Sequence, residues 1–149
     1  MLRCVNHYNS SDMGQERTNL CKGGAVALCC HHLCNWRDYV GKDFLRGVLG
    51  LNQTDFQRLL QYSHWTSLAE GSSYDAATDE TSQMAKHELC LKRQIGRYCK
   101  RIIDFGRVAF LRSSKAGYGN AVVLVEYCDA KLTPENCLLA FGGTTPARK

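Results

Sequence analysis

Several features that would identify common protein classes are missing from this sequence of 149 residues. No apolar run approaches the length of a membrane span, and Met1–Leu20 lacks the apolar block of a secretory signal. We therefore expect no membrane partner, and a cytoplasmic or nuclear location. The sequence also has no internal repeat, no GxGxxG, no Walker-type loop and no DxGxG after a strand. Gly23 and Gly24 do not replace such a loop, because they precede an apolar run instead of following one.

The composition is that of one ordinary globular domain, with 44% hydrophobic and 22% charged residues. A net charge of +5 favours an anionic partner only weakly. The nine cysteines are an odd number, and Cys29 and Cys30 are adjacent. Without a secretory signal a disulfide scaffold is not expected, and most of these thiols are predicted to be buried.

Three apolar segments are strand candidates. Ala25–Cys30 is a continuous apolar run, which is typical of a strand covered on both faces in a parallel sheet, although a short buried helix remains an alternative. Asn120–Cys128 and Asn136–Gly142 are joined by too few residues, Pro134 among them, for a helical crossover, so they should pair antiparallel. The predicted fold is therefore α/β, with a parallel strand and a C-terminal antiparallel strand pair.

Helical spacing and a cap predict two helices before the middle of the chain. The first carries Phe44, Leu45, Val48 and Leu49, and the second begins near Thr54 or Asn52 and carries Phe56, Leu59 and Leu60. Residues 1–24 are expected to be a frayed lead-in, residues 67–86 a flexible, disordered insertion, and residues 143–149 a loose tail.

The clearest predicted helix is His87–Leu111. Its apolar residues fall on one face at helical spacing: Leu91, Ile95, Tyr98, Cys99, Ile102, Phe105 and Ala109. Its basic residues fall on the other side: Lys92, Arg93, Arg97, Lys100, Arg101 and Arg107, with only Asp104 to offset them. Like charges four residues apart destabilise an isolated helix, so this face is interpreted either as a phosphate-contacting surface or as an ordinary solvated face.

The segment Cys29–Cys34, CCHHLC, follows the first predicted strand, where open α/β sheets place ligand sites. A zinc site is not favoured, because adjacent residues of a strand point to opposite faces and the ligand spacing is poor. A catalytic Cys/His pair stays open as an alternative. The simplest interpretation places Cys29 and Cys30 in the core, with His31 and His32 on the surface or in a substrate pocket.

The next segment, Asn35–Tyr39, combines an indole, a guanidinium and a phenol. Trp36, Arg37 and Tyr39 suit stacking on bases and contact with phosphates. The alternative is that the two rings anchor a loop on the domain while Arg37 is solvated or paired.

These motifs resemble one family. Leu28–Phe44, LCCHHLCNWRDYVGKDF, resembles a segment of the tRNA 2′-O-ribose methyltransferases that modify nucleotide 4 of the acceptor stem. Leu132–Phe141, LTPENCLLAF, resembles the end of the same domain, and Ile95–Leu111 lies where that family has a comparable basic helix.

The resemblance implies a partial Rossmann-like class I methyltransferase domain, S-adenosylmethionine as cofactor of the full-length family, and tRNA, not DNA, as partner. His31 or His32 would lie near the ribose hydroxyl. Beyond the Asn35–Tyr39 segment, the residues expected to hold RNA are Arg93, Arg97, Lys100, Arg101 and Arg107. No metal ligand is expected.

The chain departs from that family in two respects, since neither the glycine-rich cofactor loop nor the N-terminal zinc fingers are present. The resemblance is therefore to a truncated form that is not expected to bind the cofactor alone, and that should fold poorly or depend on a partner. A non-catalytic tRNA-binding or regulatory fragment is the alternative function, and a small metal-binding protein is a third.

Overall fold

The computed structural model describes residues 23–68, 80–113, 118–119 and 121–142. Within the range 80–113, it describes side chains from residue 83 onward. Most of the predicted lead-in, residues 69–79 of the predicted insertion, and the predicted tail lie outside the described residues. None of the described helices is long and apolar enough to cross a membrane.

The described chain contains three strands and three helices, with all three helices between the first strand and the second. In order they are β1 (Gly23–Ala27), α1 (Lys42–Gly47), α2 (Gln53–Ser63), α3 (Glu80–Arg112), β2 (Val122–Glu126) and β3 (Cys137–Gly142). Short 3₁₀ turns lie at His31–Leu33 and His64–Ser67. The predicted helices are all present, but α3 begins at Glu80, within the predicted insertion, instead of at His87.

A reciprocal cap fixes the start of α2. The Asn52 side chain accepts hydrogen bonds from the backbone N–H groups of Thr54 and Asp55, and Asp55 accepts one from the backbone of Asn52. This capping box satisfies amides that the first turn of a helix leaves without partners. Of the two predicted caps, Asn52 is the one used.

The sheet has the order β1-β3-β2, and both pairings are antiparallel. The predicted antiparallel pair of the last two strands is confirmed. The prediction of a parallel-paired first strand is wrong, because β1 pairs with β3, Ala25 lying opposite Ala140. Nor is β1 covered on both faces, since Gly24, Ala25 and Ala27 are exposed. Small residues make this run apolar without requiring that it be buried.

Two apolar clusters share α3. The first fills the space between α3 and one face of the sheet, and contains Leu28, Val108, Leu111, Tyr118, Val122, Cys137, Leu139 and Phe141. The second lies between α3 and the segment from Tyr39 to α2, and contains Tyr39, Leu45, Phe56 and Ile103. The long helix therefore joins the sheet to the helical segment that follows β1.

The opposite face of the sheet is not covered by the described residues. Val123 and Val125 of β2 are 49% and 42% exposed, whereas their neighbour Val122 is fully buried. The predicted apolar face of α3 also needs correction, because Leu91 and Phe105 are about half exposed. Cys99 of that predicted face is buried, but Lys100, Ile103 and Asp104 are buried as well, and the two charged side chains pair inside the protein.

Candidate functional site

A cleft of about 520 Å³ opens where β1 ends. The turn from Cys29 to Asn35 forms one wall, and Arg107 of α3 reaches it from another. The CCHHLC segment lies at the carboxyl end of a strand, as predicted, although that strand ends at Ala27 and is largely exposed. Apolar side chains line much of this cleft, together with a few polar groups, as in many small-molecule sites.

Cys29 and Cys30 lie at the mouth of the cleft. Both thiols are exposed, and their Sγ atoms are 3.3 Å apart, so the expectation that they are core residues is wrong. The reason is that β1 ends at Ala27, so Cys29 and Cys30 lie outside the strand, and their side chains need not point to opposite faces of the sheet. The hydrogen bond with Cys29 raises the pKa of the Cys30 thiol, and neighbouring negative groups raise it further.

His31 lies inside the protein rather than on the surface. Its side chain is 2% exposed, with Nε2 at 2.7 Å from Oδ1 of Asp104 and Nδ1 at 3.8 Å from Oε2 of Glu135. Arg107 donates to the same Asp104 oxygen at 2.7 Å and to the Cys34 sulfur at 2.9 Å. Asp104 therefore holds both the histidine and a guanidinium that lines the cleft.

His32 is exposed on the other side of the same turn. Its ring lies 5.4 Å from the ring of His64, at an interplanar angle of 43°. Neither histidine lines the cleft itself, but Cys30 and Leu33 on either side of them do. The structure thus separates two neighbours that the sequence treats alike.

The two aromatic residues of the Asn35–Tyr39 segment pack into the second cluster. Trp36 lies 5.4 Å from the ring of Phe56, with the Arg46 guanidinium 4.9 Å from its centroid. Tyr39 is 5% exposed and donates its hydroxyl to the Ile103 carbonyl at 2.7 Å. These contacts favour the anchoring interpretation for both rings, whereas Arg37 is exposed. Contact of Trp36, Arg37 and Tyr39 with RNA stays a prediction.

Several basic residues of α3 pair within the protein, and contact of this face with RNA stays a prediction. Lys100 is 4% exposed and pairs with Glu135, and Arg101 donates to Glu126 at 2.7 Å. Arg93 donates to the Leu68 carbonyl at 2.6 Å. Arg97, by contrast, is exposed.

Asp104, Glu135 and Asn136 were not predicted as site residues. Asp104 had a signal in the sequence, since it is the acid within a run of basic residues on the helix. Glu135 and Asn136 had no such signal in the sequence. They approach α3 through the fold of the chain around β3, and each is 35 residues from its partner on α3, Lys100 or Arg101.

Comparison with known proteins decides the family. The profile of the family described as "Methyltransferase TRM13" matches residues 1–142. The chain belongs to the TRM13 methyltransferase family. It is 32% identical to the human "tRNA:m(4)X modification enzyme TRM13 homolog", over 83% of this chain and 30% of that protein. It is 36% identical to the Schizosaccharomyces pombe "tRNA:m(4)X modification enzyme TRM13", over 76% of this chain and 30% of that protein.

A third relative, the TRM13 enzyme of Vanderwaltozyma polyspora, is 26% identical over 90% of this chain and 31% of its own length. The chain thus spans less than a third of the length of the TRM13 relatives it matches. No solved structure gives a significant match. The predicted family is confirmed, and the chain is a member of a tRNA methyltransferase family.

Proposed function

We propose that this chain forms the RNA-side part of a tRNA 2′-O-methyltransferase domain, which methylates a ribose hydroxyl in the acceptor stem. The observation that carries the proposal is the cleft beyond β1, formed by the segment that resembles the family and lined by the guanidinium of Arg107. The choice of the ribose 2′-OH and of the acceptor stem rests on the resemblance to the family. The cleft offers a place where part of a nucleotide could bind.

The sheet supports a partial Rossmann-like domain. β1 and β2 run in the same direction, because each pairs antiparallel with β3, and α3 connects them. A strand-helix-strand unit followed by an antiparallel strand is how class I methyltransferase domains end. The outer edge of β1 and the uncovered sheet face are where the rest of such a domain would pack.

The described residues contain no loop of the kind that commonly holds a nucleotide cofactor such as S-adenosylmethionine. Within those residues, no strand is followed by a glycine-rich loop at which a cofactor could approach the backbone. The turn after β1 presents two cysteines in that position. We therefore propose that this chain contributes RNA binding and proton removal.

Of the two histidines, His32 is the better candidate for accepting the proton of a ribose hydroxyl, and that ribose would lie outside the cleft, on the side of the turn where His32 is exposed. A general base needs a ring nitrogen within hydrogen-bond reach of its substrate. Both nitrogens of His31 face carboxylates, at 2.7 and 3.8 Å, so His31 is assigned to positioning Arg107 and the turn through Asp104. His32 is exposed, and among the described residues its ring contacts the ring of His64.

The experiment is a comparison of His32→Ala with His31→Ala in a family enzyme that carries this segment. His32→Ala is expected to lower turnover about 10²- to 10⁴-fold while tRNA affinity stays unchanged, as for loss of a general base. His31→Ala is expected to lower thermal stability as well. Unchanged turnover in His32→Ala would remove His32 from the site.

RNA binding is tested separately with the chain itself. Filter binding of tRNA across a salt series should show affinity that falls with salt, because contacts with phosphates release counterions. Arg97→Ala and Arg37→Ala should weaken binding, whereas Arg58→Ala, an exposed cation paired with Asp55, serves as the matched control. A flat salt response would contradict RNA binding.

A non-catalytic tRNA-binding module is the second candidate, and the missing cofactor loop in the described residues favours it. Calorimetric titration with S-adenosylmethionine separates the two functions. Binding heat would support an enzyme, and tRNA binding without such heat would support the module.

A further inference from the structure

The thiol pair at the mouth of the cleft has the geometry of a chelating site. Cys29 and Cys30 are both exposed, and their sulfurs lie 3.3 Å apart on the same side of the turn. Adjacent residues within a strand cannot do this, because their side chains point to opposite faces. Here the strand has ended, and Cys30 has a backbone conformation of φ −100° and ψ 59° that brings the sulfurs together.

The sulfur separation can be compared with the spacing that each kind of ligand would need. Two sulfurs bound at about 2.3 Å to one atom lie roughly 3.8 Å apart at a tetrahedral angle and roughly 3.3 Å apart near a right angle. The observed 3.3 Å fits the narrow angle of a pyramidal atom better than the angle of tetrahedral zinc. A closed zinc site also needs further ligands. Among the described residues, no three or more His, Cys, Asp or Glu side chains are grouped so that they could hold a metal ion.

We propose that Cys29 and Cys30 form a dithiol site that captures a trivalent arsenical carrying one organic group. Two As–S bonds form and two S–H bonds break, and the arsenical's oxygen leaves with the two protons as water. No electrons are transferred, so the reaction needs no oxidant. The product holds arsenic in a ring closed by two adjacent residues.

The cleft supplies room for the organic group. Leu28, Leu33 and Val40 line it beside the two thiols, and its volume of about 520 Å³ exceeds that of a phenyl ring. An arsenical with an apolar substituent would therefore gain buried contact area in addition to its two sulfur bonds. Cys34, whose sulfur accepts from Arg107, is left free of the arsenic.

The test uses phenylarsine oxide with the full chain, followed by intact mass measurement and tryptic mapping. The peptide of residues 23–37 contains Cys29, Cys30 and Cys34, and every other tryptic peptide of this sequence holds at most one cysteine. We expect one arsenical per chain, carried by that peptide. In the unmodified sequence, the arsenical should protect Cys29 and Cys30 from iodoacetamide while Cys34 is still alkylated.

Single substitutions measure the contribution of each sulfur. Cys29→Ser and Cys30→Ser should each weaken capture roughly 10²-fold, because the second bond of a chelate forms at high effective concentration. The matched controls are Cys34→Ser and Cys90→Ser, and Cys90 carries an exposed thiol on α3. Each control should change the affinity for the arsenical less than about threefold. Equal loss in Cys34→Ser, an adduct outside residues 23–37, or alkylation of Cys29 in the arsenical complex would each overturn the proposal. The protection experiment needs no variant, so it decides the question even if a substitution prevents folding.

Discussion

Nε2 of His31 lies 2.7 Å from Oδ1 of Asp104, which joins the turn after β1 to the middle of α3. The two residues are 73 positions apart in the sequence, and both are almost fully buried. The same Asp104 oxygen accepts from Arg107, so one carboxylate fixes the orientation of two side chains at the edge of the cleft.

Asp104→Ala should strongly destabilise the protein. The substitution removes the carboxylate that pairs with the mostly buried Arg107 and with the buried His31, and breaking a buried pair in this way costs about 3 to 5 kcal/mol. Urea denaturation followed by circular dichroism measures the change. Glu88→Gln is the matched control, because it removes an exposed ion pair with Lys92 on the same helix and should leave the midpoint unchanged. Equal midpoints for the two variants would contradict the role of Asp104.

Gly106 is the point at which α3 approaches the segment after the cleft. A Cβ at Gly106 would overlap the Tyr39 hydroxyl, and a Cβ at Gly41 would come within 2.6 Å of the Gly106 carbonyl carbon. Gly106→Ala should therefore lower stability by roughly 1 to 3 kcal/mol or more, as overpacking does. Gly47→Ala is the control, because nothing lies within 4 Å of its Cβ position, and it should be neutral or slightly stabilising. A thermal transition of Gly106→Ala at or above that of the parent chain would refute this close packing.

Tyr39 should make the stability of the protein depend on alkaline pH. Burial raises the pKa of its phenol well above the usual range. The folded state thus holds the phenol proton more tightly than the unfolded state, whose tyrosine titrates near pH 10. Stability is complete below about pH 10 and falls above it by about 1.4 kcal/mol per pH unit until the folded state titrates.

The measurement for Tyr39 is urea denaturation at several pH values between 8 and 11. Tyr39→Phe keeps the ring against Phe56 but removes the titrating hydroxyl and its hydrogen bond to Ile103. The variant should be less stable than the parent at pH 8, and the difference should shrink as pH rises. A constant difference across this range would show that Tyr39 does not cause the dependence.

The two faces of the sheet can be compared at adjacent positions. Val122→Thr puts a hydroxyl into a fully buried position and should cost about 1 to 3 kcal/mol, as for an unsatisfied buried polar group. Val123→Thr, at 49% exposure on the uncovered face, should change stability by less than about 0.5 kcal/mol. If sedimentation shows that the chain is a monomer and Val123→Thr still strongly lowers its stability, this face of the sheet is covered after all.

The sequence predicted local features well because their causes are local. Periodicity, caps and connection length predicted a cap at Thr54 or Asn52, the helix that contains Ile103, and the antiparallel pairing of β2 with β3. The end of β1 was placed too late, since an apolar run does not show where a strand stops. That error carried over to Cys29 and Cys30, which were expected in the core.

The charged network could be predicted only in part, because it depends on tertiary contacts. His31 and His32 have the same chemistry and adjacent positions, and only packing decides that one faces Asp104 and the other the solvent. Similarly, a run of basic residues does not show that Lys100 pairs with Glu135 across the structure. Such pairings join residues tens of positions apart, which no short sequence window contains.

The outer edge of β1 has a consequence for handling the protein. From Gly24 to Ala27, that edge is paired with no strand among the described residues, and Gly24 adds no side chain that would protect it. Edges of this kind recruit other extended chains, including copies of themselves. At high concentration the purified chain should therefore tend to form β-rich aggregates, and a charged substitution at Ala25 should delay them.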